Sequence, residues 1–230
     1  MNTMDKYIKT VCGYLEKLKT EESKLDSAAA LMAETIKNDG LIHIFGTDPH
    51  SASAGDELFF MGGGLTHINP LYDPAFSFAH GAYRCNLCQE LDGLAPVIME
   101  YYENIKADEP IIIIGSRPDA IVFTQAIEKA LAMKLRVIAI TSMDGAKEPS
   151  WASKVAVLID NHAPEHDRVL SCGGVSTASV TSILTTAVLN LLTAKTIEIL
   201  PDAPVWKGNR TGCIDDKPMI YNMINRIKHL

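Results

Sequence analysis

The sequence predicts a doubly wound α/β domain with a five-stranded parallel sheet behind an N-terminal helical extension, and three observations predict it. Ile111-Ile112-Ile113-Ile114 is an apolar run without polar alternation, the pattern of a strand buried on both faces of a parallel sheet. A helical period follows from Asp119 to about Lys134, with Phe123, Ile127, Ala130 and Leu131 on one side. Arg136-Val137-Ile138-Ala139-Ile140 then reads as the next strand. Strand, helix and strand in that order form a crossover unit, and such units assemble parallel sheets with helices on both faces.

The remaining elements follow along the chain. Residues 4–38 read as a helical pair: Tyr7, Ile8, Val11, Tyr14, Leu15 and Leu18 recur at helical spacing, then Leu25, Ala28, Ala29, Leu31, Met32 and Ile36, until Asn38-Asp39-Gly40 stops the run. Such a pair needs a surface to cover, either the sheet or a second subunit. Leu41–Phe45 is the first strand, ending at Gly46. A helix is expected over about 50–61, closed by Gly62-Gly63-Gly64, and a weaker strand over 66–69, stopped by Pro70. Residues 70–85 read as irregular, and a helix is expected over about 87–104. The last strand is Lys154–Ile159, and a long helix from about Ser176 to Leu200 closes the core. The chain thus divides into a helical extension (1–40), a sheet domain (41–200) and a tail with a short helix (201–230). A flavodoxin-like strand order places a ligand beyond the carboxyl ends of the strands, at the switch point. That selects the loops beginning at Gly46, Asn69, Gly115, Thr141 and Asp160.

A chain of 230 residues buries a full core without disulfides or metal. Its net charge of −7 argues against nucleic acid or an anionic membrane as a partner, though not against a small anion held at a helix N-terminus. Residues 1–19 are too charged for a signal sequence, and no apolar run approaches the roughly 20 residues that cross a bilayer. Five scattered cysteines suggest free thiols in a reducing cytoplasm. Cys85 and Cys88 form a lone pair without a partner pair at zinc spacing, and no Gly-x-Gly-x-x-Gly follows the first strand. Neither a metal nor a cofactor is expected.

Several segments carry a resemblance. Gly46-Thr47-Asp48-Pro49-His50-Ser51 follows the first strand and Asp56-Glu57-Leu58-Phe59 lies on the next helix. Gly81-Ala82 and Glu90-Leu91-Asp92-Gly93 follow the second strand, and Ile113-Ile114-Gly115-Ser116 ends the third. Val137–Ser142, Asp160-Asn161-His162-Ala163-Pro164 and Gly173-Gly174-Val175-Ser176-Thr177-Ala178 complete the set. In order and spacing the chain resembles the sugar isomerase (SIS) domain family, phosphoheptose-isomerase-like subgroup, over roughly 4–206. The resemblance implies the SIS fold, a cytoplasmic homodimer or higher homo-oligomer, and a phosphorylated sugar as ligand. It implies an aldose–ketose isomerase acting through an enediol. The alternatives are a lyase acting on the lactyl ether of a muramic acid phosphate, and a non-catalytic sugar-phosphate sensor.

The resemblance also assigns residues. Glu57 occupies the position of the family's glutamate base, with Glu90 a second carboxylate candidate and His80 or His50 assisting. Thr47, His50, Ser51 and Ser116 line the first and third loops. The family's Ser-x-Ser-Gly-x-Thr turn is replaced by the shorter Gly115-Ser116-Arg117-Pro118-Asp119, where Arg117 offers a charge-assisted contact instead. That change moves the expected phosphate anchor toward Ser176 and Thr177, read as the start of the last helix. His43, inside a strand, reads as a hydrogen-bonded core histidine.

Overall fold

The computed structural model describes residues 2–208 and 216–230. Two helices open the chain, α1 (Thr3–Lys17) and α2 (Glu22–Lys37). Then β1 (Ile42–Gly46) leads into α3 (Pro49–Asp56) and β2 (Ile68–Pro70). Two short helices, α4 (Ala82–Cys88) and α5 (Leu94–Glu100), precede β3 (Pro110–Ile114), α6 (Ile121–Ala132), β4 (Arg136–Thr141) and β5 (Val157–Asp160). A hairpin of β6 (Arg168–Cys172) and β7 (Val175–Ser179) comes before α7 (Thr181–Ile199), and α8 (Lys217–Met223) lies near the end.

The five parallel strands are ordered β2-β1-β3-β4-β5, the order in which the switch point falls between β1 and β3. Alternation along each strand sorts the apolar residues into two cores. Ile44, Ile112, Ile114, Ile138 and Ile159 meet Leu25, Met32, Leu189 and Leu192 of α2 and α7. Phe45, Ile111, Ile113 and Val137 meet Met99, Phe123 and Ile127 of α5 and α6. The isoleucine run of β3 is buried throughout because its side chains feed both layers in turn. α7 is long and apolar enough to span a bilayer by composition, but its Leu184, Val188, Leu189 and Leu192 are buried in this domain.

Three elements differ from the sequence expectation. The helix over 87–104 is divided, because Gly93 adopts a left-handed φ of 82° between α4 and α5. The helix over 50–61 stops at Asp56, and the glycines after it pair with a returning tail segment: Gly63 donates to the Trp206 carbonyl and Trp206 to that of Gly64. The closing helix begins at Thr181, not Ser176, since Gly173 and Gly174 take φ of 57° and 81° and turn the chain into a hairpin.

Candidate functional site

Gly46 ends β1 and the chain turns at once into α3. A methyl group at Gly46 would lie 2.3 Å from the amide nitrogen of Ala52, so glycine is what lets the helix fold this closely over the strand end. Asp48 caps α3 and Pro49 fills its first turn. The Oδ1 atom of Asp48 accepts the amides of His50 and Ser51, both at 3.0 Å. Its Oδ2 accepts the Ser51 hydroxyl at 2.6 Å. Oδ2 also accepts the amide and the hydroxyl of Ser116, each at 2.9 Å, from the loop after β3. Donors from both sides of the switch point thus converge on one carboxylate that is only 6% exposed. This is the geometry of an oxyanion receptor, and the oxyanion it holds is the chain's own.

A cavity of about 850 Å³ opens beside this receptor. Its walls carry six carboxylates (Asp48, Asp119, Asp144, Glu148, Glu165 and Asp167) against the cations Arg117 and Lys147, so the space is acidic. Asp167 caps α7: its Oδ1 accepts the amides of Val180 and Thr181 at 2.9 and 2.7 Å and the Thr181 hydroxyl at 2.6 Å. Burial pushes the Asp167 carboxyl upward, but the bonds from Thr181, Val180 and Ser179 outweigh it and hold the group below the usual aspartate range. A second cavity, of about 640 Å³, includes Ser53, Asp56, Tyr72, Asp73, Phe78 and His80 in its walls. Burial, with Asp56 beside it, raises the Tyr72 phenol far above its ordinary value, so it stays protonated. His50 of the first cavity and Phe78 of the second stand edge to face at 5.4 Å.

The structure brings Thr47, His50, Ser51 and Ser116 together at the receptor. Thr47 ties the two loops, its hydroxyl donating to the Ile114 carbonyl at 2.9 Å. Arg117 lines the first cavity but is paired with Glu90 at 2.7 Å and lies 3.7 Å from Asp119. Two of the residues expected to act on substrate, Arg117 and Glu90, are therefore paired with each other. Ser176 and Thr177 are exposed on β7, line neither cavity, and leave the start of α7 to Thr181. Glu57 is the exposed C-cap of α3 and also lines neither cavity, whereas its neighbour Asp56 and the exposed His80 share the second one. Sequence reasoning missed Asp48, Asp56 and Asp167. The signal for Asp48 was present: an Asp-Pro pair just after a strand marks an N-cap with proline at the first helical position.

A doubly wound sheet in this strand order, with the loops after its first and third strands meeting at the switch point, defines a flavodoxin-like α/β protein. Residues 6–142, more than half the chain, match the family model described as SIS domain, and the chain belongs to that family. It is 28% identical to a UPF0309 protein of Caldanaerobacter subterraneus subsp. tengcongensis, covering 99% of this chain and 100% of that one. It is 30% identical to a UPF0309 protein of Listeria innocua, over 81% of this chain and 78% of that one. Among solved structures, a phosphoheptose isomerase from Francisella tularensis superposes with a TM-score of 0.57 at 13% identity, covering 86% of this chain and all of the other. The sugar isomerase domain of an RpiR transcription factor from Sphaerobacter thermophilus gives 0.53 at 12% identity, over 99% of this chain and 100% of that one. At these identities the likeness is one of fold.

Proposed function

We propose that the protein binds a phosphorylated sugar at the switch-point cavity and interconverts its aldose and ketose forms through an enediol. One observation carries the binding half. Ser51 and Ser116, on loops from separate strands, aim hydroxyls and amides at a single oxyanion position at the carboxyl edge of the sheet. The fold shared with a phosphoheptose isomerase supports the chemical half. Proton transfer between the sugar carbons needs a carboxylate beside them. In this reading the sugar extends from the switch-point cavity past His50 and Phe78 into the second cavity, where Asp56, or Glu57 beside it, supplies that carboxylate and His80 assists at the sugar oxygens. NMR of the protein with pentose, hexose and heptose phosphates tests the activity: interconversion is expected, abolished by Glu57→Gln or by Asp56→Asn, and no turnover with any of them sinks the isomerase.

A non-catalytic sensor is the second reading. It is favoured by the exposure of Glu57 outside both cavities and by the pairing of Glu90 with Arg117. A sugar phosphate that raises the melting temperature without being turned over decides for it. We further propose a cytoplasmic homodimer. In the single chain α1 buries none of its residues, and Met4 and Ile8 are 66% and 53% exposed.

A further inference from the structure

We infer that Asp48 is the specificity-determining residue of this site: an internal anion that fills the oxyanion receptor and competes there with a ligand's phosphoryl group. This rests on the sugar-phosphate reading above and names what sets the affinity of that site. Capping α3 requires only one acceptor for the first free amides, and Oδ1 alone serves that purpose. Oδ2 does something a cap does not require. It gathers the Ser51 hydroxyl and both donors of Ser116, which lies 68 residues away in sequence on the loop of the neighbouring strand.

A carboxylate offers about four lone-pair sites, and the donors of His50, Ser51 and Ser116 already saturate them. Asp48 therefore has no capacity left to receive a ligand hydroxyl. It can only stay or be displaced. While it stays, the five donors of His50, Ser51 and Ser116 are taken, and an entering phosphate meets a cavity wall in which carboxylates outnumber cations, with Arg117 paired to Glu90. When its side chain is gone, the donors of His50, Ser51 and Ser116 lose their acceptor but remain in place, because all of them belong to other residues, and the space vacated opens on the cavity that His50 and Ser116 line. Binding of a phosphoryl group is thus an exchange of one anion for another. A phosphorylated sugar succeeds only when contacts to the rest of the molecule outweigh the resident carboxylate.

The test uses inorganic phosphate as the probe, titrated by calorimetry and by thermal shift into the full chain and into Asp48→Gly. Glycine remains an acceptable N-cap residue. The variant is expected to bind phosphate at least about tenfold more tightly than the unmodified protein and to recover with phosphate much of the melting temperature it has lost. Adding Ser116→Ala to Asp48→Gly removes one of the freed donors and is expected to cancel most of the gain. If Asp48→Gly does not fold, Asp48→Asn keeps the cap and the shape while dropping the charge, and a smaller gain is expected. Equal phosphate binding by both proteins, or none by either, overturns the inference. Sugar phosphates separate the two claims. If they stabilise the unmodified protein while Asp48→Gly gains nothing toward phosphate, the competitor role fails and the sugar-phosphate reading stands. If Asp48→Gly gains phosphate binding but neither protein binds any sugar phosphate, the reading fails and the competitor role stands.

Discussion

Glu109 anchors the edge of the sheet opposite the site. It accepts the amides of Leu41 and Lys106 at 2.9 and 3.0 Å and the Nε2–H of the fully buried His43 at 2.9 Å. Asn69 of β2 donates to the other ring nitrogen of His43 at 2.9 Å, so one network spans β2, β1 and the start of β3. Burial pushes the Glu109 carboxyl upward, yet the bonds from His43, Leu41 and Lys106 outweigh it and leave the group below its ordinary 4.5. A carboxyl lowered on folding adds stability above its unfolded value and loses it as pH falls through the folded one. Glu109→Gln turns an amide donor toward donors that then lack an acceptor, and is expected to cost about 2 kcal/mol in urea unfolding at neutral pH. The difference from the unmodified protein should shrink as the pH is lowered through the carboxylate range. Gly46→Ala is expected to cost somewhat more, about 3 kcal/mol, because its methyl would press on helix backbone that has nowhere to move. The role of His43 as a bonded core histidine was legible from its place inside an apolar strand. Asp48 was not, since its first three contacts are local and ordinary and only the fold brings Ser116 to it.

At the scale of elements, the strands of the sheet were the most legible part. Isoleucine and valine runs buried on both faces leave little choice of structure, and β1, β3 and β4 fall within a residue or two of where the sequence puts them. Most of β7 was read as the start of the closing helix because Ser176 and Thr177 run on into the apolar period of α7. The stronger local signal was Gly173-Gly174 between two short alternating runs, a two-residue turn pattern. An isolated two-stranded hairpin is marginal by itself, and most of this one is exposed. Gly173→Val places a β-branched residue at a φ of 57°, at a cost of about 1–2 kcal/mol. The strain should be confined to the hairpin. Hydrogen exchange is expected to accelerate about tenfold across residues 168–179, while the melting temperature changes by no more than about 2 °C. A large fall in melting temperature would show that the hairpin is coupled to the core.

For the whole molecule, topology did what no single motif does: the order β2-β1-β3-β4-β5 brings the loops after β1 and β3 side by side, which makes Ser51 and Ser116 neighbours. The alternation of strands and helices made that arrangement readable in advance. What escaped it was the far end of the chain, where Trp206 returns to pair with Gly63 and Gly64 and is itself buried, a long-range contact that no local period announces. The exposed apolar residues of α1 bear on assembly. If α1 forms the subunit interface, Ile8→Glu puts a charge into it, and light scattering should show the mass falling from dimer to monomer with the circular dichroism unchanged. A monomeric mass for the unmodified protein would refute the dimer. The carboxylate lodged in the receptor also bears on descent. Aspartate and glycine codons differ by a single base, and position 48 projects into the receptor without supplying any of its donors. A lineage carrying this fold stands one point mutation from exposing or concealing its anion site, so ligand preference can turn over between close relatives while every strand, helix and serine around it stays in place.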